Sequence, residues 1–192
     1  MGNFNYPRHF TVLGVAAVLL FLIGHWDLLG DSLVASFAIN GLLHASSLVF
    51  ALRSPQSRLR RIAFIAIAGG LSIFTLYVGI IGLVLFAMLP GTERLYLDLG
   101  LCALSGAITY GSLVRIFWVR SLGSRQVLAM AIGCMIASSL AFLSRSYLSF
   151  LGGWWLAAVW WFAFSGALWF CDTHSGALGR RGTLKSQGGT TS

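Results

Sequence analysis

IAFIAIAGGLSIFTLYVGIIGLVLFAML, residues 62–89, runs for 28 positions without a charged side chain. A helix needs about 20 apolar residues to cross about 30 Å of hydrocarbon. At 1.5 Å per residue this run extends about 42 Å. It predicts a transmembrane helix that must tilt, kink or project from the bilayer. Gly69-Gly70, Gly79 and Gly82 lie within it and permit either a bend or the close approach of a neighbour.

Five further stretches have the same character, at about 10–29, 32–52, 95–119, 126–144 and 148–171. The composition agrees. The chain of 192 residues is 57% hydrophobic and 9% charged, against about 25% charged in an average soluble domain. Its mean hydropathy is +0.83. A soluble fold of this size cannot hide that much apolar surface in one core. The runs are continuous rather than alternating, which excludes a closed β-barrel. The expected fold is therefore all-α: a polytopic transmembrane bundle of about six helices, one domain over residues 1–172. A tail rich in Gly, Ser and Thr, 173–192, is expected to be disordered. The first run lacks the small-x-small site a signal peptidase needs, so it reads as a retained helix.

The cations set an expected orientation. The N-terminus, the 2–3 loop, the 4–5 loop and the tail together hold ten: Arg8, Arg53, Arg58, Arg60, Arg61, Arg120, Arg125, Arg180, Arg181 and Lys185. The other loops hold two, Arg94 and Arg145. Arg115 lies within the fourth helix near its inner end, where it can snorkel. Ten against two places both termini in the cytoplasm. Asp27, Asp31, Glu93 and Asp98 then face outward, where capping and solvated loop ends account for them. Twelve of the 13 cations are arginine, the bias of a GC-rich bacterial genome, so the expected location is a bacterial inner membrane. The net charge of +8 is dispersed in short clusters between apolar runs. Anionic lipid headgroups explain those clusters better than a nucleic acid does.

Arg53-Ser-Pro-Gln-Ser-Arg58 and Arg120-Ser-Leu-Gly-Ser-Arg125 share an RSxxSR pattern. The same offset aligns Asp31 with Asp98 and Phe50 with Phe117. Hairpins 2–3 and 4–5 are thus candidate copies of one unit. Helix-dipole complementarity and the positive-inside bias would generate part of this pattern without duplication.

Polar side chains inside lipid are costly unless they face other helices or a cavity. In the second helix, Ser32, Ser36, Asn40, His44 and Ser47 share one face by their spacing. Asp98, Cys102, Ser105, Thr109 and Ser112 do so in the fourth. Ala68, Ser72, Thr75, Gly79 and Gly82 do so in the third. Ordinary packing explains small and hydroxylated seams. The alternative is a hydrated cavity or substrate path lined by Asn40, His44, Asp98, Ser105 and Thr109.

No cofactor is expected. His25 and His44 differ in depth by about 12 Å, too much for two axial ligands of one haem. His9 and His174 fall at the helix ends and read as solvated. Cys102, Cys134 and Cys171 read as buried thiols acting as small hydrophobes. Ala103-Leu-Ser105-Gly106 approaches the nucleophile motif of an intramembrane serine protease, but it lacks the first glycine, and the sixth helix carries no His base. Trp154, Trp155 and Trp169 suit the interfacial belts. Trp160 and Trp161 lie deeper and read as contacts to lipid or to a neighbouring helix, with a flat apolar ligand such as a quinone as the alternative.

The expected partners are the lipid bilayer and a membrane-protein partner or a second copy of the chain, with no nucleic acid. The leading functional expectation is a non-enzymatic subunit or accessory of a membrane assembly. A small oligomeric transporter or channel using the seams of helices 2 and 4 comes next. An intramembrane enzyme acting on a lipid or quinone is third.

Overall fold

A computed structural model describes residues 4–26, 28, 32–53, 56–88, 91–119, 122–143 and 154–187, with side chains throughout except at 92–96, 154 and 174–187. The described residues form six helices: α1 (Tyr6–His25), α2 (Leu33–Phe50), α3 (Arg58–Leu85), α4 (Gly91–Phe117), α5 (Ser124–Leu143) and α6 (Trp154–Gln187). All six are long and apolar enough to cross a membrane.

Local chemistry sets where the helices begin. Asn5 caps α1 by accepting from the Arg8 amide, and Pro7 stands in its first turn, where a missing N–H costs nothing. The helix therefore starts at Tyr6, four residues ahead of the apolar run. Ser32 caps α2 and Ser57 caps α3 in the same way, accepting from Ala35 and Arg60 at 3.3 Å. α4 starts at Gly91, also ahead of its apolar run, and α6 is traced to Gln187. The disordered tail expected over 173–192 falls almost entirely on α6 side chains and terminal residues outside those described. Asp27, Asp31 and Arg145 lie outside the described residues too, as do the side chains of Glu93, Arg94 and His174.

The helices form a closed ring. Each packs on the next in sequence, and α6 packs back on α1. The ends of this ring differ. At the arginine-rich end the chain's first residues tie three elements together. Phe4 is fully buried and forms a bridge with Leu52 in the α2–α3 loop. Asn5 N–H donates to the Ala51 carbonyl at 2.7 Å, and Arg53 Nε donates to the Phe4 carbonyl at 2.9 Å. Tyr6 O–H donates to Asp172 on α6 at 2.9 Å. Arg60 on α3 donates to the Phe117 carbonyl at the end of α4 and lies over the Trp118 ring. These contacts close the ring with charge-assisted bonds that the apolar flanks cannot supply.

Small residues set the spacing of α2, α3 and α4. A Cβ on Gly41 would overlap the Ser72 hydroxyl and come within 2.8 Å of the Ala68 carbonyl oxygen on α3. A Cβ on Gly82 would come within 2.7 Å of Asp98 on α4. Gly79 and Gly82 thus serve close packing, as the sequence allowed, whereas Gly70 meets nothing. The outer surface of the ring carries exposed large apolar side chains, among them Phe74, Ile81, Ile136 and Phe170. Such a belt is stable against lipid and not against water.

Gly41→Ala tests this spacing. The added methyl meets backbone that cannot swing aside, so α2 must move off α3. The expected loss is about 1–3 kcal/mol, read as a lowered melting temperature in detergent. Gly70→Ala should leave the melting temperature unchanged.

Candidate functional site

The ring lines a half-open cavity of about 400 Å³. It lies towards the end opposite the arginines. Leu33, Ser36, Phe37 and Asn40 supply the α2 wall, and Ser72 and Thr75 the α3 wall. α4 contributes a longer strip from Leu99 through Cys102 and Gly106 to Tyr110. Ser138 comes from α5, and Leu156, Ala157 and Trp160 come from α6. α1 takes no part. Its Leu13, Ala16 and Leu20 pack behind Trp161. A hydrogen bond from Trp161 Nε1 to Asn40 Oδ1, at 2.6 Å, joins α6 to α2 in front of it.

On the side towards the arginine-rich end, an aromatic plug closes the cavity. His44 stacks on Trp161 with 5.7 Å between ring centroids. It meets Tyr110 at 5.1 Å, Trp160 at 5.5 Å and Phe164 at 5.5 Å. Tyr110 O–H donates to the Gly41 carbonyl at 2.8 Å, and Trp160 Nε1 donates to the Ala103 carbonyl at 3.2 Å. The ring is therefore not an open pore. Neither nitrogen of His44 has a hydrogen-bond partner among the described residues. An imidazole held this way acts as a flat apolar surface, and its unbonded nitrogens are a cost to the fold.

The candidate residues from the sequence divide. Asn40 lines the cavity, and His44 lies in the plug behind it. Asp98 does not line the cavity and lies against Gly79 and Gly82 of α3. Ser105 donates to the Cys102 carbonyl at 3.1 Å, and Thr109 donates to the Ser105 carbonyl at 2.9 Å. Neither of these two lines the cavity. The inward strip of α4 is instead Leu99, Cys102, Ala103, Gly106 and Tyr110, mostly one position away from the polar seam. Trp160 and Trp161 both turn inward, Trp161 completely buried. Packing rather than lipid contact is their role, and Trp160 also borders the cavity.

His9 departs from expectation. Rather than being solvated at a helix end, it is fully buried, and its Nε2 lies 2.8 Å from Ser165 Oγ on α6. The reason is the early start of α1. Placing Tyr6 in the first turn brings His9 one turn deeper, beneath the Phe4–Leu52 bridge. Ser138 was missed altogether. Its signal was present in α5, where Ala131, Cys134, Ser138 and Ala141 recur at helical spacing and are all buried. Among the described residues no group of three or more His, Cys, Asp or Glu side chains could hold a metal ion.

Comparison with protein-family models, with curated proteins and with solved structures gives no match for this chain.

Replacing His44 separates packing from chemistry. His44→Phe keeps the ring stack and removes two unbonded nitrogens, so thermal stability should hold or rise by about 1 kcal/mol. His44→Ala should lose about 2–4 kcal/mol, the cost of an unfilled core site. Loss of stability in the phenylalanine variant would show that the imidazole nitrogens hold the fold.

Proposed function

We propose that this protein is a small membrane carrier that takes one ligand into the cavity between α2 and α6. The observation that supports this is the cavity itself. It is concave, mostly apolar, and provided with a few convergent polar groups, the usual make-up of a small-molecule site. Its volume falls in the range of about 300–1,000 Å³ typical of such sites. The aromatic plug separates it from the arginine-rich end, so the fitting mode is a gated carrier rather than a channel. Movement of Tyr110, Trp160 and Trp161 would be the gating step. The protein would stand in a bacterial inner membrane with both termini in the cytoplasm, which places the cavity in the outer half of the bilayer.

The RSxxSR repeat fits a carrier built from two hairpins. α2 ends at Phe50 and α4 at Phe117, while α3 starts at Arg58 and α5 at Ser124. These bounds match the sequence offset to within one residue. The helix lengths differ, 28 residues in α3 against 20 in α5.

A second reading has an observation of its own. Ser105, Thr109 and His44 are absorbed in packing, which suits a scaffold that serves as an accessory subunit or homo-oligomer. Native mass spectrometry of the protein released from its own membrane in mild detergent distinguishes the two. A carrier should retain a reproducible small adduct, and Ala157→Trp, which fills the cavity, should abolish it. A stoichiometric protein partner with no small adduct would replace the carrier reading with the accessory one.

Orientation has a separate check. Alkaline phosphatase fused after residue 90 should be active, and green fluorescent protein fused after residue 122 should be fluorescent. The reverse pattern would invert the assignment.

A further inference from the structure

Hydrogen bonds already made in the cavity wall define what remains for a ligand. Ser36 donates to the Ser32 carbonyl at 3.0 Å, Ser72 to Ala68 at 3.1 Å and Thr75 to Leu71 at 3.0 Å. The Tyr110 hydroxyl and the Trp160 indole donate to backbone carbonyls as described above. The Cys102 thiol faces the Thr75 carbonyl at 3.9 Å. These hydrogens are engaged within the protein, as lipid surroundings require.

Two donors are left among the described lining residues. An indole N–H can only donate, so the bond from Trp161 fixes Asn40 with its oxygen towards Trp161. The Asn40 amide NH₂ is then turned away from Trp161, and no described residue accepts from it. Ser138 is 3% exposed, borders the cavity and makes no hydrogen bond with a described residue. The two donors come from α2 and α5, on different walls. Among the described residues no charged side chain contributes to the lining.

We infer that the cavity binds an uncharged, largely apolar molecule with carbonyl oxygens at its polar end, held by the Asn40 amide and the Ser138 hydroxyl. This rests on the reading of the cavity as a ligand site. A charged ligand would enter an apolar space with no countercharge among the described lining residues, at a cost that those residues cannot offset. A carbonyl acceptor satisfies the two unused donors and requires no hydrogen from the wall's engaged hydroxyls. The apolar remainder of the ligand lies against Leu33, Phe37, Leu99 and Leu156. The membrane offers this chemistry in two forms, a quinone ring and the ester of a neutral lipid.

The test titrates the full-length protein in mild detergent with four probes of equal chain length, read by native mass spectrometry. These are 2-decyl-1,4-benzoquinone, methyl decanoate, decanoate and decylammonium. The quinone or the methyl ester should form a saturable one-to-one complex, and both ions should bind at least tenfold more weakly. Preference for the quinone assigns the ring form, and preference for the ester assigns the lipid form. Ser138→Ala should weaken the neutral complex roughly three- to tenfold, the worth of one hydrogen bond. Asn40→Asp keeps an oxygen for Trp161 but loses the NH₂ group, and should weaken it further. Should that variant fail to fold, Ser138→Ala carries the test. The inference is overturned if either ion binds as tightly as the neutral probes, or if neutral binding is unchanged by Ser138→Ala. If no probe binds, fragmentation of the adduct retained from the membrane decides: a neutral carbonyl compound upholds the inference, and a charged one overturns it while leaving the ligand site. Absence of both probe binding and retained adduct removes the ligand site itself.

Discussion

A polar group inside a bilayer must find its partner within the protein, because the lipid tails offer none. Much of this structure follows from that constraint. It explains why the chain is helical from end to end of each span. It also explains the behaviour of the side chains. Ser36, Ser46, Ser72, Thr75 and Thr109 each return a hydrogen to a carbonyl of their own helix. The larger groups reach across helices: Tyr6 to Asp172, Tyr110 to Gly41, Trp160 to Ala103 and Trp161 to Asn40. Three of these bonds hold α6 against α1, α4 and α2, and the Tyr110 bond holds α4 against α2.

The cavity arises from two packing regimes in one ring. Gly41 brings α2 to the backbone of α3, and Gly79 and Gly82 let the Asp98 and Cys102 side chains of α4 press directly on α3. Across the ring, Tyr110, Trp160, Trp161 and Phe164 hold α6 away from that group. Towards the arginine-rich end these rings, with Phe64 and Trp118, fill the space they create. Towards the other end many of the inward residues are small: Ser36, Ser72, Thr75, Cys102, Ala103, Gly106, Ser138 and Ala157. The helices cannot close on one another there without displacing the aromatic plug, so volume remains. The plug is thus the cavity's own support, and whatever moves the plug also changes the cavity.

The spans were legible from apolar run length alone, since the bilayer sets a minimum and the backbone admits one structure. The starts of α2 and α3 were marked by Ser32 and Ser57, capping residues whose preference is local. The seam of α2 was legible too, because Asn40 and His44 recur at helical spacing and face inward together. The seam of α4 was read one position off. Ser105 and Thr109 are its obvious polar residues, yet they satisfy themselves on their own helix, and the helix is turned by the fit of Gly106 against Thr75 and Trp160. The burial of His9 was not legible, because it follows from the Asn5 cap together with the distant contacts of Phe4 and Tyr6.

The sequence by itself determined that six segments are helical and membrane-spanning, and which residues at their ends carry charge. These are properties of each segment alone against a uniform solvent. Only the tertiary structure decided which face of each helix turns inward, that the ring closes through α6 onto α1, and that Asn40 and Ser138 keep unengaged donors at one cavity. A transmembrane helix is apolar on nearly every side, so hydropathy gives it no preferred face. The choice falls to shape: glycine where backbones meet, indole where they are held apart, and hydrogen-bond partners more than a hundred residues distant in the chain.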